Sequence, residues 1–268
     1  MDIETLFTVI NLALQGLFFI AVGIITILTY IQAKDTILQP MRTELFKIQM
    51  DELSHVLKLF IGQSELALRE KFDFEKLLMV NAISLLDNYA SMFFDLEFDK
   101  DKRPYNNNEC PSSIVTREFM EKNFELAEDP IESESHETKT EKPDPRVRAA
   151  LWQEYQYGIT KIPKQYLDMQ DELKRVLESP VLPSKCAKLI EEYISIVEEN
   201  ALEISKVLTE CAKELPSKYP SIEKLKNASS MWISNKYNDK FKELKPKADE
   251  IIVSIRTHWA IDELKLKK

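Results

Sequence analysis

One stretch of the sequence decides the fold: residues 6–31, which are LFTVINLALQGLFFIAVGIITILTYI. This run contains no charged residue. A helix of about 20 apolar residues crosses the roughly 30 Å hydrocarbon core of a bilayer, and this run is longer than that. The sequence therefore predicts a single transmembrane helix from Leu6 to Ile31, with the rest of the chain attached to it.

The residues around this run are not those of a cleaved signal peptide. A signal peptide has a basic start, an apolar centre of about 7–15 residues and a cleavage site with small residues. Here the chain begins with the acidic Met1–Glu4, and Tyr30–Lys34 has no such site. We therefore expect the helix to be retained as an anchor.

Basic residues next to the helix predict its orientation. Lysine and arginine flanking a membrane helix stay on the cytoplasmic side. The N-terminal flank has neither residue, whereas Lys34, Arg42 and Lys47 follow the helix closely. We expect residues 1–5 to lie outside the cell membrane and everything from about residue 32 onward to lie in the cytoplasm.

The uncharged polar residues of the predicted anchor lie on one face of the helix. At 100° per residue, the same side carries Thr8, Asn11, Gln15, Thr26 and Thr29. An unpaired amide is costly in hydrocarbon, and an interhelical hydrogen bond there contributes about 0.6–2 kcal/mol. This face predicts a homo-oligomer formed through the anchor. The alternatives are a polar pore lining and a hydrated Asn11 near the outer interface.

Composition predicts an all-α cytoplasmic body that does not bind nucleic acid. The net charge is −9, and 30% of the residues are charged. The three cysteines are odd in number and have no metal or redox spacing, which is typical of a reducing compartment. Only four glycines occur, which leaves little room for hairpins or phosphate-binding loops.

The membrane-proximal region, residues 32–127, is predicted to be helical. Pro40 should end or kink the anchor helix, since the residue before a proline is pushed out of helical geometry. A helix is then expected over 41–61, a buried core helix over 73–98 and a short helix over 114–126. The core helix carries a polar stripe that includes Asn81, Ser84 and Asn88. A solvent-facing edge explains this stripe most simply, and a polar pocket is the alternative.

The remainder is predicted to be an acidic disordered linker, residues 128–145, and a C-terminal helical bundle, residues 146–268. Helices are expected over 146–157, 163–177, 184–215 and 221–244, with a last helix opening at Pro246. The helix over 184–215 keeps the three-four apolar spacing of coiled-coil and bundle seams. The sequence leaves open whether the two helical regions pack together.

Motifs predict neither a cofactor nor catalytic residues. Glu52 and His55 form the Glu-x-x-His pair of di-iron bundles, but such a site needs a second pair and two further glutamates. A solvated helix face is therefore the preferred interpretation of this pair. The motifs of P-loop, serine-hydrolase and zinc-protease sites do not occur.

Together these patterns predict a membrane-anchored cytoplasmic interaction or assembly protein without catalytic activity. Its expected partners are the lipid bilayer, copies of itself and an unidentified protein. One alternative is a membrane-acting effector or small oligomeric channel. A second alternative is a helical metal-dependent enzyme built around Glu52 and His55.

Overall fold

A computed structural model describes residues 3–123 and 144–259. Within these ranges the chain is predominantly helical, as predicted, and it also contains a two-stranded antiparallel sheet that the all-α prediction omitted. The chain divides into two units, residues 1–55 and residues 56–268.

The elements follow one another along the chain with short connections on either side of the undescribed residues 124–143. The helices are α1 Ile3–Phe60, α2 Glu65–Lys71, α3 Phe74–Phe94, α4 Arg117–Asn123, α5 Pro145–Gln153, α6 Lys164–Leu177, α7 Ser184–Lys218, α8 Ile222–Lys226, α9 Met231–Lys240 and α10 Lys245–His258. The strands are β1 Ser112–Val115 and β2 Ile159–Ile162, and a 3₁₀ turn covers Lys100–Lys102.

The first unit consists of helix α1 up to residue 55, and this helix continues through Pro40. The expectation of a separate helix beginning after Pro40 is therefore wrong. A proline inside a helix removes one backbone hydrogen bond and costs about 3 kcal/mol. The helical turns on both sides of Pro40 propagate cooperatively, and this offsets the local loss.

The second unit is built around α7. The predicted three-four seam is confirmed, because Ile190, Val197, Ile204 and Leu208 are fully buried. Helices α3, α6, α9 and α10 pack against α7. The segments before and after residues 124–143 thus belong to one compact unit, which answers the question that the sequence left open.

Helix α3 is the predicted core helix, and it is shorter than expected. Its side chains Leu77, Val80 and Leu85 are fully buried. The helix ends at Phe94 because Asp95 adopts a left-handed conformation (φ 54°) and its backbone N–H bonds to the carbonyl of Ala90. This left-handed C-cap stops the helix before residue 98.

The polar helix predicted over 221–244 is two helices, α8 and α9. The connection carries side chains that bond to the backbone in place of helical hydrogen bonds. Asn227 Nδ2 donates to the carbonyl of Glu223 (3.1 Å), and the Met231 N–H donates to Ser229 Oγ (3.2 Å). Short polar side chains compete with the helix in this way, which explains the break.

The sheet was not predicted. Strand β1 pairs antiparallel with β2, so that Ser112 is opposite Ile162 and Val115 is opposite Ile159. The helix predicted over 114–126 consequently begins only at Arg117. Each strand has four residues and gains its ladder hydrogen bonds from a partner distant in sequence, which no local pattern reveals.

Candidate functional site

Two regions are candidates for function, and the first is the apolar part of α1. Every side chain described from residue 10 to residue 34 is exposed. The consecutive residues Phe18, Phe19 and Ile20 are 63%, 71% and 62% exposed. Because consecutive residues point about 100° apart around a helix, apolar groups cover α1 on all sides.

A second helix also passes the length and hydropathy requirements for a membrane span. Helix α3 has a mean hydropathy of 1.3, against 2.3 for the most apolar part of α1. The two differ in burial, since 56% of the most apolar part of α3 is buried inside the protein and none of the corresponding part of α1 is. Helix α3 therefore already has the apolar environment that the protein core supplies, whereas α1 does not.

The four predicted self-association residues divide into two pairs. Thr26 Oγ1 donates to the carbonyl of Val22 (2.8 Å), and Thr29 Oγ1 donates to the carbonyl of Ile25 (2.7 Å). Asn11 and Gln15 are exposed on the same face. The side chain of Thr8, which shares this face, lies outside the described residues.

The second region is a polar cleft of about 580 Å³ in the unit formed by residues 56–268. Helix α3 contributes Ser84 and Asn88 to it. The other walls come from the segment 100–107, from Phe119 and from the turn and strand over 155–161. Within the polar stripe of α3, Ser84 and Asn88 thus line a pocket, which the alternative interpretation expected, and Asn88 is also exposed to solvent.

Asn81, the first residue of the stripe, is a buried structural group. Its Nδ2 donates to the carbonyls of Leu77 (2.7 Å) and Lys161 (2.8 Å). Its Oδ1 accepts from the Lys161 N–H (2.7 Å) and from the Tyr157 hydroxyl (2.8 Å). One amide therefore joins α3 to β2 and to the turn before it, and it holds two walls of the cleft together.

The turn before β2 also forms hydrogen bonds with side chains of α7. The Tyr157 N–H donates to Thr209 Oγ1 (3.0 Å), and Ser205 Oγ donates to the Tyr157 carbonyl. Gly158 follows, and a Cβ at this position would overlap the ring of Phe119. Only glycine permits this close approach of the Phe119 ring to the backbone.

A partly buried ion pair fixes the loop after α3. Arg103 Nε lies 2.8 Å from Asp87 Oδ2, and the Tyr105 hydroxyl donates to the same carboxylate (2.7 Å). Burial raises the pKa of Asp87, and the bonds from Tyr105 and Arg103 oppose that rise. Burial and the bond to Asp87 raise the pKa of Tyr105 to about 12, so its hydroxyl remains a donor.

The lining of the cleft includes lysine and tyrosine side chains. Lys100, Lys161 and Asp101 are its charged residues. Asn88 Nδ2 donates to the Tyr155 hydroxyl oxygen (2.9 Å). Burial raises the pKa of Tyr155, so the phenol keeps a proton that it can donate to another acceptor.

The described residues contain no group of three or more His, Cys, Asp or Glu side chains placed to hold a metal ion. The three cysteines are buried. Burial raises the pKa of Cys110 and raises that of Cys211 to about 11, which keeps both as thiols. The thiolate is the nucleophilic form, so these two groups are poor nucleophiles near neutral pH.

The sequence indicated a polar pocket beside α3 only as an alternative, because the cleft is assembled from separate parts of the chain. The one local signal was the three-four spacing of Asn81, Ser84 and Asn88 on a helix that is otherwise apolar. This spacing shows that the residues share a face, but it cannot show what covers that face. Comparison of the chain with protein-family models, with curated proteins and with solved structures found no match.

Proposed function

We propose that this protein is a single-pass membrane protein that assembles with copies of itself and carries a helical body in the cytoplasm. The anchor is the N-terminal part of α1, over residues 6–31. The short N-terminus lies outside, because the basic residues Lys34, Arg42 and Lys47 all follow the anchor.

The observation that carries the proposal is the exposure of α1. From Ile10 to Ile31 the helix presents large apolar side chains to its surroundings on every side. Each such side chain gains about 1.5–3 kcal/mol when it leaves water for an apolar environment. Contiguous apolar surfaces of this extent on a soluble monomer are rare, and a bilayer supplies the environment that they need.

The assembly part of the proposal is based on the polar face of the anchor. The hydroxyls of Thr26 and Thr29 bond to carbonyls of their own helix. The longer amides of Asn11 and Gln15 are exposed, and in hydrocarbon a neighbouring helix supplies partners for them. A second copy of the chain presents the same amides at the same depth, so a parallel homo-oligomer pairs them with each other.

The anchor is tested by extraction of membranes from cells that express the full chain. We expect the protein to stay in the membrane pellet after an alkaline carbonate wash, and to resist protease added to intact cells over the body after residue 32. The double substitution Phe18→Arg and Ile25→Arg should release it to the soluble fraction, because each charge near the middle of the span costs about 2.5–3.5 kcal/mol.

The matched control is Met41→Arg with Ile48→Arg, which places the same charges on exposed positions of α1 outside the anchor. This variant should fractionate like the unsubstituted protein. Full release of the unsubstituted protein by carbonate would contradict the proposed anchor. Digestion of the body by protease added outside the cell would contradict the proposed orientation.

A further inference from the structure

The cleft beside α3 has a chemistry that the membrane anchor does not explain. It holds about 580 Å³, a volume typical of small-molecule sites. Every residue that lines it belongs to the unit formed by residues 56–268. The chemistry of this cleft is therefore independent of the anchor.

Positive charge predominates among the ionisable side chains that line the cleft. Lys100 and Lys161 have no carboxylate within ion-pair distance among the described residues, although lysines close by do. Lys76 is paired with Glu109 (2.7 Å), and Lys102 is paired with Asp99 (3.0 Å). Asp101 is the one carboxylate among the lining residues, so the two ammonium groups outnumber it.

Aromatic rings form a large part of the remaining wall. Three of them are Tyr105, Phe119 and Tyr155. Tyr155 is stacked on the buried indole of Trp152, with ring centroids 4.3 Å apart and an interplanar angle of 17°. This stacking keeps the Tyr155 ring in place, and it leaves the hydroxyl, which already accepts from Asn88, with a proton to donate.

The walls are held in position before any ligand arrives. Asn81 ties β2 to α3 through four hydrogen bonds. Asp87 ties the loop that carries Tyr105 to the same helix. A site on walls fixed in this way loses little conformational entropy when it binds.

We propose that this cleft binds a small organic phosphate monoester. The phosphate is held by the ammonium groups of Lys100 and Lys161, and an attached ring lies against the aromatic wall. Two lysines against one carboxylate among the lining residues favour an acceptor-rich anion. The planar walls favour a ligand that also carries a flat ring over a free inorganic anion.

The test is calorimetric titration of the full chain in phosphatidylcholine nanodiscs. The probes are AMP, GMP, CMP and UMP, with adenosine and inorganic phosphate as the partial ligands. We expect saturable binding of at least one nucleotide, and at least about tenfold weaker binding of its nucleoside and of phosphate alone. Absence of binding by every nucleotide below about 1 mM would overturn the proposal.

Substitutions locate the site. Lys161→Met should weaken nucleotide binding by about tenfold or more, because the charged hydrogen bond is lost. Lys100→Met should also weaken nucleotide binding. Because Lys100 is exposed, this substitution does not disturb the core. The matched control is Lys224→Met, an exposed lysine on α8 that does not line the cleft. Nucleotide affinity unchanged by both Lys161→Met and Lys100→Met would place the binding elsewhere and refute the assignment.

Discussion

At the scale of single residues, Asn81 has the largest structural role of the side chains described around the cleft. It is fully buried, and all four of its hydrogen bonds have lengths of 2.7–2.8 Å. Two of them pair the backbone N–H and carbonyl of Lys161, groups that would otherwise be buried beside α3 without a partner. An amide satisfies both a donor and an acceptor at once, which no apolar side chain of this size does.

We therefore expect Asn81→Leu to destabilise the protein by about 3 kcal/mol, because it leaves several buried polar groups unpaired. Urea unfolding of the full chain in detergent, followed by tryptophan fluorescence, measures this. Asn235→Leu is the matched control, since Asn235 is exposed on α9, and it should change the free energy of unfolding by less than about 0.5 kcal/mol. Equal effects of the two substitutions would contradict the role assigned to Asn81.

Two carboxyl groups are expected to respond to pH in opposite directions. Burial raises the pKa of Asp87 above 3.8, so the folded state binds this proton more tightly than the unfolded state does. The contribution of Asp87 to stability is thus complete below pH 3.8 and declines as the pH rises through the raised pKa. A hydrogen bond from Lys236 lowers the pKa of Glu214 below 4.5, so its contribution is present above pH 4.5 and is lost as the pH falls through the lowered pKa.

The two pH dependences are measured with the variants Asp87→Asn and Glu214→Gln. Each variant is compared with the unsubstituted protein by urea unfolding at a series of pH values. With increasing pH above 3.8, the free energy of unfolding of Asp87→Asn should increase relative to that of the unsubstituted protein. The free energy of unfolding of Glu214→Gln should differ most from that of the unsubstituted protein above pH 4.5, and this difference should become smaller as the pH falls. The slope with pH is the readout, because an effect of the substitution that does not depend on pH shifts the whole curve without changing its slope. Slopes of the same sign would show that one of the two assignments is incorrect.

At the scale of the element, α1 presents two kinds of polar side chain on the face proposed for assembly. The threonines bond within their own helix, so they have less to gain from a neighbouring helix than the amides have. The four polar residues therefore should not contribute equally to association.

We expect Asn11→Leu with Gln15→Leu to reduce dimer formation in membranes, by about 0.6–2 kcal/mol for each interhelical hydrogen bond lost. Thr26→Val with Thr29→Val is the control on the same face, and it should leave association nearly unchanged. Cross-linking in membranes, or energy transfer between labelled copies in vesicles, measures the difference. A monomeric pattern for the unsubstituted chain would exclude assembly through this helix. A larger loss of association in the threonine variant than in the amide variant would show that Asn11 and Gln15 are not the residues that drive assembly.

At the scale of the whole molecule, the segments before and after residues 124–143 share one core. The strands β1 and β2 belong to different segments, and α3 packs against α7 across the same division. Trp152 Nε1 donates to the carbonyl of Ala212 (2.8 Å), which connects α5 to α7 within the second segment. We therefore expect the two segments to stay together without the covalent connection through residues 124–143.

This arrangement predicts that a chain cut within residues 128–143 stays assembled. With a protease recognition sequence placed there, the two fragments should co-elute after cleavage in detergent and separate in urea. The cleaved protein carrying Asn81→Leu should dissociate at a lower urea concentration, since Asn81 lies in the first fragment and its partners Tyr157 and Lys161 lie in the second. Fragments that separate without denaturant would show that the two segments do not share a core.

The helical architecture was predictable from the sequence because helices are specified by local spacing. The charge-free run over residues 6–31 and the three-four seam of α7 are complete within single segments, and the structure contains helices at both places. Helix ends were less accurate where the backbone conformation of one residue decides them, as at Asp95, or where a helix continues through a proline, as at Pro40. The predicted linker falls almost entirely outside the described residues, and the membrane span and its orientation stay predictions.

The tertiary structure alone decided what the polar stripe of α3 does. Pairing of β1 with β2 joins residues about 50 positions apart, and it places Lys161 against Asn81 and turns a helix face into the wall of a cleft. The sequence by itself determined which residues share that face, because a helix repeats every 3.6 residues. What covers the face depends on hydrogen bonds and packing between distant segments. The spacing of residues within one helix carries no information about those interactions.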